Sequence, residues 1–247
     1  MKLGIIDYIN ILPVTYALEN GKIPFDGEIV KGVPSELNKK FAAGELDASF
    51  ISSIEFARTG GVLGEHCIAS HGEVKSVLLL SFVPISKIKT IHLTKESATS
   101  SVLLKILMKS AFGDSPVYTE GNADAELVIG DAALQKARSR DYLLDLGKAW
   151  SEFSREPMVF GVFAYKNGLL ADDKEKILSA IRASEEWGKK NMREIIDYAS
   201  RKAGIDRGVV KEYYSLLSFT FGVGEKRGLR KFYENAKKLG EIGKTPF

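Results

Sequence analysis

A single cysteine in 247 residues rules out an intrachain disulfide and a cysteine-based zinc cluster. Cys67 is followed by Ile68 and Ala69, the setting of a small buried hydrophobe. The histidines number only three, and His66, His71 and His92 fit no metal-ligand spacing. His71, beside Gly72, reads as a turn residue. No apolar run reaches the roughly 18 residues of a membrane span. The start does not read as a signal peptide, because the apolar stretch after Lys2 is broken by Asp7 and Asn10 and no small-residue cleavage site follows. These features together predict a cytoplasmic protein without a membrane partner. Phosphate loops of the Gly-x-x-x-x-Gly-Lys-Ser/Thr and Gly-x-Gly-x-x-Gly kinds are missing, as is a Gly-x-Ser-x-Gly elbow, so nucleotide cofactors and serine-hydrolase chemistry have no support. Charge of one sign is scarce too, at a net +3. The densest basic cluster, Lys226, Arg227, Arg230 and Lys231, is interleaved with Gly228, Leu229 and Phe232, and reads as the solvated face of a helix rather than a nucleic-acid surface.

What is present is the composition of a globular chain, 45% hydrophobic and 27% charged, long enough to bury a substantial core. Leu3-Gly4-Ile5-Ile6 reads as a buried strand, and Ile29-Val30 as a second. Pro34 opens an amphipathic helix through Leu37 and Phe41, closed by Gly44. Asp47 to Ile51 is a strand with Ser52-Ser53 at its end, and Val74 to Val83 is a long β-rich run. A second set follows: a strand over 88–93, a helix from Thr99 to Ala111 stopped by Gly113, an edge strand at Val117-Tyr118, and a buried strand ending in Gly130-Asp131. After it come a short helix over 132–137, a strand over 142–146, and an apolar run from Met158 to Tyr165 able to link two sheets. From Asp172 the chain is helical, with a break near 188–191 and two more helices over 206–217 and 225–240. Alternating strands and helices predict parallel α/β units. The economical plan is two lobes around a cleft, residues 1–83 with 166–247 forming one and 84–165 the other.

Small polar residues stand where such a fold binds ligands, at the carboxyl ends of strands and the first turns of helices. Asn10 follows the first strand, Ser52 and Ser53 follow another, and Thr99 and Ser100 open a helix. Any of these, and Ser97, could instead merely cap its own turn or helix. Asp131 could hold a ligand hydroxyl or cap the next helix. Tyr8 and Phe160 flank the expected cleft and could wall it.

Seven segments in order carry a resemblance. Asp7-Tyr8-Ile9-Asn10-Ile11-Leu12-Pro13 resembles the Ser-Tyr-Leu-Asn-x-x-Pro start of the MqnA family, the chorismate dehydratases of the futalosine route to menaquinone. Ser53-Ile54-Glu55-Phe56 resembles that family's Ser-x-Glu-Tyr segment. Ser70-His71-Gly72-Glu73-Val74-Lys75-Ser76-Val77 resembles its Ser-x-Gly-x-Val-x-Ser-Val segment. Ser97-Ala98-Thr99-Ser100, Ile129-Gly130-Asp131-Ala132, Asp145-Leu146-Gly147-Lys148-Ala149-Trp150 and Pro157-Met158-Val159-Phe160 match further blocks. The resemblance covers residues 1 to about 165 and the helical tail only loosely. It implies a two-lobed, periplasmic-binding-protein-like (type II) α/β fold with a central cleft, acting on a small dianionic substrate, chorismate, without metal or organic cofactor. It places Asn10 and Ser76 in catalysis and Tyr8, Ser52, Ser53, Thr99, Ser100 and Asp131 in substrate binding. Two positions depart from the pattern. Asp7 stands where the family has Ser, which would put a carboxylate near a dianion. Ala98 stands where it has Arg, and Lys75, Lys95 or Arg155 would have to supply the missing cation. Two rivals remain open: the sister enzyme that forms 1,4-dihydroxy-6-naphthoate, whose Ser-Pro-Cys-Pro-Asn-Asp-Thr opening is absent here, and a non-enzymatic small-anion binder or sensor.

Overall fold

The computed structural model describes residues 1–113, 115–137 and 142–247. In chain order its strands are β1 (Lys2–Ile6), β2 (Glu28–Gly32), β3 (Ala48–Ser52), β4 (Val62–Ser70), β5 (Val77–Ser81), β6 (Thr90–His92), β7 (Val117–Thr119), β8 (Ala125–Ile129), β9 (Tyr142–Asp145), β10 (Met158–Tyr165) and β11 (Leu217–Thr220). The helices are α1 (Leu12–Glu19), α2 (Pro34–Ala42), α3 (Ser53–Thr59), α4 (Ala98–Ile106), α5 (Gly130–Lys136), α6 (Leu146–Ser154), α7 (Ala171–Lys190), α8 (Met192–Ala203), α9 (Arg207–Leu216) and α10 (Val223–Lys238). No described helix is long and apolar enough to cross a membrane.

Two mixed sheets form the frame. The first runs β11-β4-β10-β3-β1-β2 and the second β7-β6-β8-β5-β9. β1 lies parallel between β2 and β3, while β10 runs antiparallel between β3 and β4. β3 is buried at every position, as a strand covered on both faces must be. The chain crosses from β4 to β5 through residues 71–76 and returns after α6. This is the two-lobed α/β fold expected, with its cleft between the sheets.

The limits of the lobes differ from the expectation. Val77–Ser81, placed by the sequence in the first lobe, is a central strand of the second sheet, and Met158–Tyr165 lies wholly within the first sheet rather than linking the two. An unbroken apolar run suits either sheet equally. Its partner is set by register, here Val77 to Ile129 and Phe163 to Phe50, which composition does not reveal. β4 and β11 were not expected, because Gly64, Glu65 and His66 interrupt the apolar pattern of β4 and β11 is short and only partly buried. The helix expected over 99–111 is α4 continued by a π-turn over Leu107–Ala111.

The C-terminal helices complete the core. α8 presents Ile195, Ile196, Ala199 and Ala203 at helical spacing, and they pack with Ile9, Leu12, Tyr213 and Tyr214 in one cluster. The break expected near 188–191 falls at Asn191, whose N–H reaches back to Trp187 and Gly188. The expected basic cluster is on the exposed face of α10, with Arg227 paired to Glu156. Gly188 lies against α1, where a Cβ would overlap the Pro13 carbonyl oxygen. Gly188→Ala is therefore expected to lower stability by about 1–3 kcal/mol in urea unfolding. Gly243→Ala, with open space around the new methyl, should leave it unchanged.

Candidate functional site

The cleft between the sheets is walled by Ile6, Pro34, Ile51, Ile68, Val74, Val77, Ile129 and Phe160, and its polar lining is Tyr8, Asn10, Ser52, Ser76, Ser97 and Ser100. The space between these walls, counted with its mouth open to solvent, is about 500 Å³. Three hydrogen bonds bridge it. Tyr8 OH donates to Glu96 Oε2 (2.7 Å), Ile9 N–H to Asp131 Oδ1 (3.1 Å) and Ile54 N–H to Thr99 Oγ1 (3.1 Å). The two units are thus closed upon each other, and entry of a ligand requires them to part.

The turn after β1 carries Asn10 into the cleft. Its backbone is held on both sides at Ile9, whose N–H is taken by Asp131 and whose carbonyl accepts Tyr214 OH (2.9 Å). Asn10 Oδ1 itself is buried without a hydrogen-bond partner among the described residues. Such an acceptor is costly to leave empty, and the residue that carries it lines the cleft. Burial, and then the Glu96 contact, push the Tyr8 phenol far above its ordinary value, so Tyr8 remains a donor.

Ser76 enters from the crossing between β4 and β5. Lys75 holds φ +57°, a strained value for a residue with a Cβ. The buried Asp145 carboxylate fixes that turn by accepting N–H bonds from Val74 (3.1 Å), Lys75 (2.7 Å) and, as cap of α6, Lys148 (3.0 Å). Ser76 Oγ accepts Tyr213 OH (2.9 Å). Ser52 is clamped by Asn38, which donates from Nδ2 to Ser52 Oγ (3.0 Å) and accepts Ser52 N–H (2.9 Å). Ser97 caps α4 by accepting Ser100 N–H, and the Ser97 and Ser100 hydroxyls lie 2.9 Å apart.

Of the eight residues named from sequence, Tyr8, Asn10, Ser52, Ser76 and Ser100 line the cleft. Ser53, Thr99 and Asp131 do not. Ser53 Oγ donates to Val159 O, Thr99 Oγ1 takes the N–H of Ile54 in the first turn of α3, and Asp131 holds Ile9. Each answers a backbone group rather than opening toward a ligand. Asp131 does not cap its own helix either. His71, expected as a turn residue, pairs through Nε2 with Glu225 Oε1 at 2.8 Å. Sequence reasoning did not single out Asn38, Asp145, Tyr213 or Tyr214, though Asp145 stands in one of the matched blocks.

A family described as menaquinone biosynthesis matches residues 1–238 of this chain. The chain belongs to that menaquinone-biosynthesis family. It is 27% identical over 261 residues to a chorismate dehydratase of Thermus thermophilus, covering 94% of this chain and 93% of that one. It is 29% identical over 253 residues to a chorismate dehydratase of Campylobacter jejuni, covering 97% and 99%. The fold is shared with a crystal structure from Archaeoglobus fulgidus (TM-score 0.80, 23% identity, 98% of each chain). It is shared also with the periplasmic aliphatic sulphonate binding protein of Escherichia coli (TM-score 0.69, 13% identity, 99% of this chain and 89% of that one).

These neighbours correct one expectation. The solved structures sharing this family member's fold include periplasmic and import-system binding proteins, so the reading of a cytoplasmic protein does not stand. That reading rested on the single cysteine, the lack of a long apolar run and an N-terminal stretch that forms the buried strand β1 and its turn; these report chemistry and burial, not compartment. Both departures from the family pattern are resolved in space. Asp7 is exposed, paired with Lys202 Nζ at 2.5 Å, and outside the cleft lining. Among the described residues no cation lining the cleft takes the place of the Arg missing at Ala98: Lys75 is tied to Glu212 and Lys95 to Glu120, and neither they nor Arg155 line the cleft.

Burial raises the Asp131 carboxyl above the ordinary aspartate range, against the opposing pull of Ile9 N–H and Lys202. A carboxyl raised on folding binds more protons folded than unfolded. Its contribution is therefore present below about pH 4 and lost as pH rises through the raised value. Asp131→Asn keeps an oxygen for Ile9 and removes the charge. Its stability relative to the wild type should rise between about pH 4 and pH 7 in urea unfolding; a difference that is flat with pH would contradict the assignment.

Proposed function

We propose that this chain dehydrates chorismate to 3-(1-carboxyvinyloxy)benzoate, a lyase step in menaquinone biosynthesis. The observation that carries this reading is the pairing, in one closed cleft, of an empty acceptor at Asn10 Oδ1 with a donor hydroxyl at Ser76. The chorismate dianion has one hydrogen-bond donor, its ring hydroxyl. That hydroxyl can give its hydrogen to Asn10 Oδ1 and accept one from Ser76 Oγ, so both groups grip the leaving group. Family membership and the two dehydratase relatives support the same reading.

The reaction breaks the C–H bond at the ring carbon bearing the ether oxygen and the C–O bond at its hydroxylated neighbour, and the ring becomes aromatic. The driving force lies in the product, so the protein's work is alignment and stabilisation of the departing hydroxide. Ser76 donates to the leaving oxygen while Asn10 holds the ring. The substrate's own enolpyruvyl carboxylate takes the ring proton and returns it to the hydroxide, releasing water. Apolar walls exclude solvent that would solvate the hydroxide in the closed cleft.

The substrate carboxylates meet donors rather than cations. Pro34, Ser52, Ser97 and Gly130 set the starts of α2, α3, α4 and α5 at the cleft. First-turn N–H groups have no partner within their helix, and those of Ala98 and Thr99, with the Ser97 and Ser100 hydroxyls beside them, suit one carboxylate.

The test is incubation of purified protein with chorismate, with product read by mass spectrometry. A product lighter by one water is expected, with turnover falling about a hundredfold or more in Asn10→Ala and Ser76→Ala. Binding of chorismate without conversion, or conversion undiminished by both substitutions, would overturn the reading.

A further inference from the structure

Three consecutive residues of α9 reach the two candidate catalytic segments. Glu212 Oε1 pairs with Lys75 Nζ at 2.5 Å, Tyr213 OH meets Ser76 Oγ at 2.9 Å, and Tyr214 OH donates to the Ile9 carbonyl at 2.9 Å, one residue before Asn10. α9 belongs to the helical tail, the part of the chain with the loosest family resemblance.

The Tyr213 contact is directional. Tyr213 is fully buried, and burial holds its phenol protonated. Among the described residues Ser76 Oγ is its one hydrogen-bond partner. A buried phenol proton without an acceptor is costly, so Tyr213 gives its proton to Ser76. A serine hydroxyl has a single hydrogen, and Ser76 has no other side-chain partner among the described residues. Its hydrogen is therefore left to the cleft that Ser76 lines.

We infer that Tyr213 is a positioning residue that fixes Ser76 as a hydrogen-bond donor, aiming its hydroxyl hydrogen at the substrate's leaving oxygen. The catalytic part of this inference rests on the reading of the cleft as a dehydratase site; the direction of the hydrogen bond does not. Without Tyr213 OH, the Ser76 rotor is free to turn its hydrogen inward, and accepting the phenol proton no longer polarises it.

Two measurements test this. The first needs no substrate. The thiol introduced by Ser76→Cys occupies the acceptor position, and a donated phenol hydrogen favours its thiolate. Its alkylation by iodoacetamide, followed against pH by peptide mass spectrometry so that buried Cys67 is resolved separately, should titrate about one unit lower with Tyr213 present than in the Tyr213→Phe background. Equal titration in the two backgrounds would overturn the donor assignment.

The second is turnover of chorismate. Tyr213→Phe is expected to lower kcat about tenfold to a hundredfold with KM nearly unchanged and the melting temperature within a few degrees. In the Ser76→Ala background the same change should cost nearly nothing, because the group it positions is gone. Equal loss in both backgrounds would assign Tyr213 a purely structural role and contradict the positioning. A thiol shift in the Ser76→Cys variants together with a wild type that does not convert chorismate would overturn the dehydratase reading and leave the hydrogen-bond direction standing.

Discussion

The buried Asp145 carboxylate, accepting backbone N–H groups from Val74, Lys75 and Lys148, is the constraint on which the cleft depends. The chain must leave one sheet and enter the other within residues 71–76, and it does so through a left-handed turn at Lys75 that its side chain disfavours. A carboxylate placed under that turn offsets the strain and starts α6 with the same oxygens. Gly147, in the first turn of α6, lets the helix approach so closely that a Cβ there would meet the Gly72 carbonyl oxygen at 2.5 Å. Once the crossing is fixed, Ser76 has one place to stand, and β5 is delivered in register with β8 and β9.

The electrostatics of the cleft follow from what surrounds it. A cleft for the dianion proposed would ordinarily be sought through lysine or arginine, yet among the described residues no cationic side chain lines this one. The nearby cations are engaged elsewhere: Lys202 with Asp7, Lys75 with Glu212, Lys31 with Glu19. Attraction falls to hydroxyls and to the starts of helices, weak charges that are fixed in place and gain strength as the closing walls exclude water. Fixed dipoles of this kind suit a reaction whose main need is alignment. Glu96, gripped by Tyr8 at the cleft edge, adds a negative charge at the entrance and makes closure without ligand depend on a hydrogen bond rather than on an ion pair.

The parts of this arrangement visible in sequence are those that act through their own neighbours. Asn10 and Ser52 follow apolar strands, and Ser97 and Ser100 open a helix, so the elements that carry them announce their position. The same signal did not separate Ser53, Thr99 and Asp131, which occupy equivalent strand ends and first turns but spend their side chains on backbone groups of the other elements. Whether a helix-start hydroxyl faces a ligand or a neighbouring N–H depends on packing, which has no local sequence pattern. Tyr213 is harder still. It lies 137 residues from Ser76, on a helix whose apolar spacing is fully explained by the core cluster it joins. The lobe limits erred for a related reason, since β5 as far as Leu80 and β10 are apolar runs that either sheet would accept.

The most direct measurement is a crystal structure of the protein with the aromatic product bound. The expected result places its ring against the apolar walls of the cleft, one carboxylate at the first turn of α4 beside Ser97 and Ser100, and no lysine or arginine within ion-pair distance of either carboxylate. A product held by a cationic side chain, or seated outside the cleft between the two sheets, would contradict the view that fixed N–H and hydroxyl donors bind the substrate here.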